Sequence, residues 1–397
     1  MSSPPGLPTL PSVQKISNYV TRSLGQNPGK FTLQGTNTYL IHHPSSPSLI
    51  LLDTAQSIPS YLPLLRSALL SHSIQPCHLT DIILSHYHHD HTDGLRSVLE
   101  ELGRLGAVGK GGVRIWKMRC EGGEEETKDR EIEEKLRGIE EGLVDVEGLG
   151  VQERLVMKGF EGGKIRALRN GQKFVISDGK GDDKEAEKVE LEVIHTPGHT
   201  SDSISILLRT DSASKTSSES NAPEALFSFD TVLGHGTAVF SSLATYLDSL
   251  IALISRLAPS SDSDSNGGPE SGALIPIYPG HGVVIEDGVS KLKEYRQHRL
   301  DRERQVVEAL KNQKSAKLSA SSLTDSIYGS SIPESLKPAA TRGLLLHLDK
   351  LLLDCLVTRH DPVEGELGNK VDWEKLGVSA KDIPQGWDDR WSWKGPD

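Results

Sequence analysis

Apolar residues along the first three hundred positions follow two rhythms. Short apolar runs of strand length alternate with stretches in which leucines return every three or four residues, and this alternation predicts an α/β layered architecture. Strands are expected at 30–42, 48–53, 81–85, 189–195, 203–208, 225–230 and 274–278. Leu62, Leu65 and Leu69 mark a helix between the second and third. Leu243, Leu247, Leu250, Ile251 and Ile254 mark another, with Ser241 or Ser242 as its N-cap. A long charged helix over 287–313 leads out of this region. Short helices follow over 315–356, rich in leucine (Leu344, Leu345, Leu346, Leu348, Leu351, Leu352). The pattern therefore divides the chain into an α/β domain over 1–286, a small helical or winged-helix-like domain over 287–360 and a tail over 361–397. The tail's Trp373, Trp387, Trp391 and Trp393 are expected to pack back on the protein, because large aromatic area usually serves packing.

Composition refines this division. The chain has 397 residues, but only 36% are hydrophobic, so part of its length is expected to be solvated insertion. The segment 121–148 holds twelve acids against four bases and is expected as a solvated helix or loop dispensable for chemistry. Ser-rich stretches at 210–223 and 259–272 read as further insertions. The formal net charge of −11 excludes a global basic footprint for nucleic acid and disfavours recruitment to anionic membranes. Cys77, Cys120 and Cys355 lie far apart without CxxC spacing, which excludes a thiolate zinc site and fits reduced thiols. Residues 1–11 lack the apolar core of a signal peptide, and no apolar run approaches a membrane span. The expected location is cytoplasmic, with no membrane association.

The chemistry is concentrated in Ser85-His86-Tyr87-His88-His89-Asp90-His91-Thr92-Asp93-Gly94, directly after an apolar strand. The two-residue period of a strand puts His86 and His88 on one face. If the chain then turns, Asp90 and His91 point into a neighbouring volume, whereas the alternation turns His89 away. Neutral imidazoles with a carboxylate are donors that hold zinc while leaving positions open for water. Four more segments repeat one design, an apolar strand ending in a polar group: Ile50-Leu-Leu-Asp53, Val193-Ile-His-Thr-Pro-Gly-His199, Leu226-Phe-Ser-Phe-Asp230 and Ile277-Tyr-Pro-Gly-His281. That edge of a layered α/β fold is the usual place for a site.

Together HxHxDH at 86–91, the His-Thr-Pro-Gly-His turn, Asp230 and Tyr-Pro-Gly-His281 resemble the metallo-β-lactamase superfamily, over roughly residues 30–281. Gln34-Gly-Thr-Asn-Thr-Tyr39, Leu233-Gly-His-Gly-Thr-Ala-Val-Phe240 and the helical extension resemble its lactamase-beta-two-like group, which includes endoribonucleases and fungal thioesterases releasing polyketides from carrier proteins. The resemblance implies an αββα sandwich and two zinc ions per chain. It places His86, His88 and His199 on the first ion, Asp90, His91 and His281 on the second, and Asp230 between them. It leaves Asp53 and His195 outside the ligand set, Asp53 orienting a ligand histidine. Phe229 stands where the family pattern usually has glycine, with bulk that can shift the strand or narrow the pocket.

A hydroxide held between the metals, with Asp90 orienting it, is the nucleophile that the resemblance implies. His235, on the 233–240 loop, is a candidate proton donor. The expected substrate is an acyl or polyketide thioester on an acyl carrier protein, so the expected partner is that carrier or its polyketide synthase. A thiol has a pKa of about 8.5 and leaves as thiolate with little help. Single-stranded RNA is the alternative substrate, and net charge −11 opposes it. The remaining histidines, His42, His43, His72, His78, His298, His347 and His360, are assigned to surface or packing.

Overall fold

Alternation within each strand decides which layer its side chains join. The computed structural model of the chain describes residues 6–108, 112–120, 123–136, 165–178, 187–211, 222–257, 274–312, 317–360 and 389–395. A first sheet joins β1 (Val13–Lys15), β2 (Val20–Leu24), β3 (Asn37–His42), β4 (Ser48–Leu52), β5 (His78–Leu84), β6 (Arg114–Met118) and β7 (Arg166–Leu168) in sequence order. Pairing is antiparallel from β1 to β4 and parallel from β4 to β7. A second sheet is built from β8 (Lys173–Ser177), β9 (Lys188–His195), β10 (Ile204–Asp211), β11 (Ala225–Phe229) and β12 (Ile277–Pro279), in spatial order β12-β11-β10-β9-β8.

Tyr39, Ile41, Ile50, Leu52 and Ile83 of the first sheet meet Phe174, Val193, Ile206 and Phe227 of the second in a shared apolar interior. The alternate residues Leu40, Leu49, Leu51, Ile82 and Leu84 face the other way. They pack on α1 (Leu62–Leu70) and, beyond the one-turn α2 (His89–Thr92), on α3 (Leu95–Leu105). After α4 (Gly123–Leu136), helix α5 (Leu243–Leu257) covers the far side of the second sheet. There Arg256 pairs with Glu192 of β9 at 2.6 Å, and the Ser249 hydroxyl donates to the Pro197 carbonyl at 2.7 Å. Helix, sheet, sheet and helix make the expected αββα sandwich.

The chain forms two compact units, Met1–Phe240 with Ser249–Leu292, and Ser241–Asp248 with Lys293–Asp397. The second has its own core: Val306 and Leu310 of α6 (Gly288–Asn312), Leu323 of α7 (Ala320–Tyr328), and Leu344, Leu348 and Leu351 of α8 (Lys337–Leu353). A small sheet of β13 (Leu318–Ser319), β14 (Val357–His360) and β15 (Arg390–Trp393) completes it. Trp391 is fully buried in this core and Trp393 packs against it, as expected of the tail. Trp373 and Trp387 lie outside the described residues. Among the described residues no helix is long and apolar enough to cross a membrane.

The structure corrects three expectations. The strand expected over 30–42 starts only at Asn37, because Leu33 at φ +54° and Gly35 at φ +123° break the extended chain. The apolar pattern does not mark strands β1, β2, β6, β7 and β8. In β2 and β6 the pattern is interrupted by Arg22 and Lys117, both buried, which hides a strand from any reading based on apolar runs. The acidic segment does reach the interior: Ile132 of α4 joins the core around α3, and Asp129, one turn earlier, is also buried. An inward position occupied by aspartate conceals the buried face. Residues 137–148, 212–221 and 258–273, which hold most of the insertions, lie outside the described residues.

Candidate metal centre

Every group of the site leaves the C-terminal end of a strand. Beyond β4, Asp53 turns at φ +60°, so that its carboxylate accepts hydrogen bonds from the Ser85 amide at 2.7 Å and the Ser85 hydroxyl at 2.8 Å. Those bonds anchor the segment after β5. The chain then winds into α2, which is how Asp90 and His91 come to face the same volume as His86 and His88. His89 is exposed, as the alternation requires. The His195–His199 turn after β9 delivers His199, Asp230 directly follows β11, and β12 runs into the turn carrying His281. Gly280 in that turn lies against the site: a Cβ there would stand 2.3 Å from Asp230 Oδ1, so any side chain would have to displace that carboxylate.

All seven predicted residues converge. Three overlapping groups have their donor atoms within 4.8 Å of one another: His86, His88 and His199; Asp90, His91 and His281; and His86, His91 and Asp230. His88 Nδ1 is 2.9 Å from His86 Nε2 and 3.0 Å from His199 Nε2. His91 Nε2 is 3.3 Å from His281 Nε2 and 3.4 Å from Asp230 Oδ1. The other Asp230 oxygen lies 3.4 Å from His281 Nε2 and 3.6 Å from His199 Nε2, so the carboxylate spans both triads.

These donors fit divalent cations. Nitrogens about 3.3 Å apart are what tetrahedral ligation at about 2.05 Å demands. Three of the outward ring nitrogens are also engaged, His91 Nδ1 with Asp53 at 2.7 Å, His86 Nδ1 with the Ser85 hydroxyl at 3.0 Å, and His199 Nδ1 with the Val239 carbonyl at 2.8 Å, whereas His281 Nδ1 is buried without a hydrogen bond. Such partners fix each tautomer and turn the remaining lone pair inward. Asp230 Oδ1, although buried, has no hydrogen-bond donor. A lone pair left bare in so polar a cluster fits a cation.

The electrostatics divide the site. Burial, reinforced by the neighbouring imidazoles, holds His86 well below the usual histidine range and His88 down to about 4. Burial opposes charge on His91 and His281 too, but the surrounding carboxylates outweigh it. His91 lies well above its ordinary value, through Asp90, Asp230 and Asp53. His281 is pushed up to about 9, by Asp230 and Asp90. Against the same burial, the two imidazoles hold the Asp90 and Asp230 carboxyls below the carboxylate range. Without metal, protons balance the carboxylates; a divalent cation can take their place.

His195 stays outside the groups, with its Nε2 2.7 Å from the Ser201 carbonyl, where it supports the turn. His235 is exposed on its loop and belongs to none of the three groups. The bulk of Phe229 turns into the core between the sheets, stacked on Phe227 at 6.4 Å, rather than into the site. It is accommodated at φ +46°, beside a register shift between β11 and β12. Sequence reasoning missed how the 34–39 segment acts. The Asn37 side-chain amide donates to the Pro279 and Gly282 carbonyls at 2.9 and 3.0 Å, and the Tyr39 hydroxyl donates to Pro279 at 2.6 Å. These bonds clamp the turn that presents His281.

The comparisons with known proteins agree with this geometry. Residues 31–213 match the family model of the metallo-beta-lactamase superfamily, and residues 319–365 match that of the beta-lactamase associated winged helix domain. A beta-lactamase-like protein 2 homolog from Caenorhabditis elegans is 31% identical over 354 residues, covering 89% of this chain and 90% of that one. An atrochrysone carboxyl ACP thioesterase from Aspergillus chevalieri is 29% identical over 339 residues, covering 84% of this chain and 80% of that one. In fold, the chain is similar to a beta-lactamase domain protein from Burkholderia ambifaria, with a TM-score of 0.58 at 17% identity over 99% of this chain and 97% of that one. With its sandwich, its His and Asp clusters and a relative aligned along nearly its whole length, the chain belongs to the metallo-beta-lactamase superfamily.

Proposed function

We propose that this protein is a hydrolase dependent on two metal ions, zinc in the simplest case, that releases acyl groups from thioesters on an acyl carrier protein. The convergence of five histidines and two aspartates at one sheet edge carries the hydrolase reading. His86, His88 and His199 would hold one ion, Asp90, His91 and His281 the other, and Asp230 would touch both. A bound pair of divalent ions supplies Lewis acidity and makes water nucleophilic near neutral pH. The chain's own groups do the rest. Asp90, 3.2 Å from His281 Nε2 and 3.5 Å from His91 Nε2, would be available to accept a hydrogen bond from a water at the site and orient it. Asp53 and Ser85 keep His91 and His86 in the tautomers that leave their inner nitrogens free.

Two considerations favour the thioester. The fungal relative whose name specifies an ACP thioesterase aligns with 84% of this chain. A thiolate also departs with little help, whereas a ribose oxygen needs a proton or a metal, and the candidate proton donor, His235, is exposed outside the three groups. Parallel assays of the full chain with an acyl-thioester reporter and a labelled single-stranded RNA test this. Chelator-sensitive thioester turnover is expected, and His235→Ala should leave it within about threefold of wild type, because loss of one general acid costs about 100-fold or more only where proton transfer limits the step. Metal-dependent RNA cleavage without thioester turnover would establish the endoribonuclease alternative instead.

A further inference from the structure

Lys117 has an environment that neither the sandwich nor the hydrolytic site explains. It occupies the C-terminal end of β6, and its side chain is fully buried. Its ammonium lies 2.6 Å from Asp129 Oδ1 of α4 and is ion-paired with Asp202 Oδ2; both carboxylates are themselves almost completely buried. Asp202 does not stop there. Its other oxygen accepts the Thr200 hydroxyl at 2.6 Å, and that hydroxyl also lies 2.6 Å from the Ser203 hydroxyl, which accepts the Thr200 amide at 3.1 Å. The Gly198 amide in turn donates to the Thr200 carbonyl at 2.9 Å. The loop closed by these bonds is the one that presents His199. An unbroken polar path therefore runs from the acidic helix through a buried cation to the residue beside His199.

Burying one ammonium between two carboxylates is costly in itself, and apolar side chains of similar size would stabilise the same space at least as well. Buried ion groups do serve as fixed struts, because in the low-dielectric interior neither charge can leave its partner without a large desolvation cost. We infer that Asp129 and Lys117 are positioning residues for His199. In this inference, α4 is a brace that sets the geometry of the His86, His88 and His199 group rather than a solvated insertion. The inference rests on the metal-site reading given above.

The test uses the full chain, stripped of metal and titrated with Co(II). Bound equivalents are read by competition with a chromophoric chelator, and geometry by the visible d–d absorption. Wild type should take up two equivalents. Asp129→Asn should bind one equivalent normally and the other about 10- to 100-fold more weakly, the usual effect of losing an outer support, with an altered d–d spectrum. A purely structural role would lower the unfolding midpoint and leave that spectrum unchanged. Thr200→Val cuts the path at the turn, removing a donor to Asp202 but keeping Lys117, Asp129 and Asp202 themselves, so it should reproduce the altered spectrum, and it decides the matter if Asp129→Asn does not fold. Wild-type binding of both equivalents by folded Asp129→Asn overturns the brace at the helix, and the same result for Thr200→Val overturns it at the turn. Failure of wild type itself to bind Co(II) removes the metal-site reading and this inference with it.

Discussion

Phe229 shows how one residue can depart from a family pattern without disturbing the chemistry next to it. Its φ of +46° is a conformation that glycine adopts freely and that costs an L side chain about 1–2 kcal/mol. The ring is nevertheless 1% exposed, packed among Phe227, Tyr278 and the β9–β10 valines and isoleucines. Removing a buried ring of this size costs about 3–5 kcal/mol. Burial therefore wins, and Phe229→Gly should destabilise the protein by about 2–3 kcal/mol in urea unfolding, even though it relieves the backbone. Because the side chain points away from Asp230's partners, metal stoichiometry should stay unchanged. A variant as stable as wild type would mean that the ring contributes no packing. A variant that loses metal while keeping its fold would mean that Phe229 holds Asp230 in place.

At the scale of elements, legibility followed hydrophobic contrast. Strands β4, β5, β9, β11 and β12 are largely apolar runs followed within a few residues by His or Asp, and those followers make the candidate cluster readable from the sequence. Strands β2 and β6 were illegible because Arg22 and Lys117 are buried inside them, each held by partners far along the chain or on another element. The acidic helix is hidden for the same reason: Asp129 occupies an inward position that its pairing with Lys117 and Arg119, in and just after β6, explains. A similar concealed burial occurs in α8, where His347 is 2% exposed and its pKa is lowered to about 3, by burial first and then by Arg299, Arg302, Lys350 and His298. An unfolded histidine titrates near 6.5, so between about pH 6.5 and 3 the unfolded chain binds a proton that the folded chain refuses. Its contribution is fully present above about pH 6.5 and is lost as pH falls, by at most about 1.4 kcal/mol per pH unit. His86 and His88 act in the same direction, so the informative comparison is between variants. His347→Leu should show a shallower loss of urea stability than wild type between pH 7 and 5. An identical slope would mean that His347 is charged or exposed in the folded protein.

For the molecule as a whole, the sandwich and the helical unit are built from separate cores, and the candidate chemistry lies entirely at one edge of the sandwich. The net charge of −11 sets a repulsive long-range field against polyanions, while a neutral thioester meets no such barrier. Everything proposed about substrate depends on the seven side chains acting as a two-metal site, and Asp230 is the residue that links its halves. The most direct measurement is the metal content of the purified chain after dialysis against trace zinc, for wild type and Asp230→Ala, with thioester turnover followed through chelation and restoration. Two equivalents per wild-type chain are expected, with turnover lost on chelation and regained with metal, and a variant that is inactive and weakened at both sites. A wild-type protein that holds no transition metal and turns over unchanged in the presence of chelator would contradict the account.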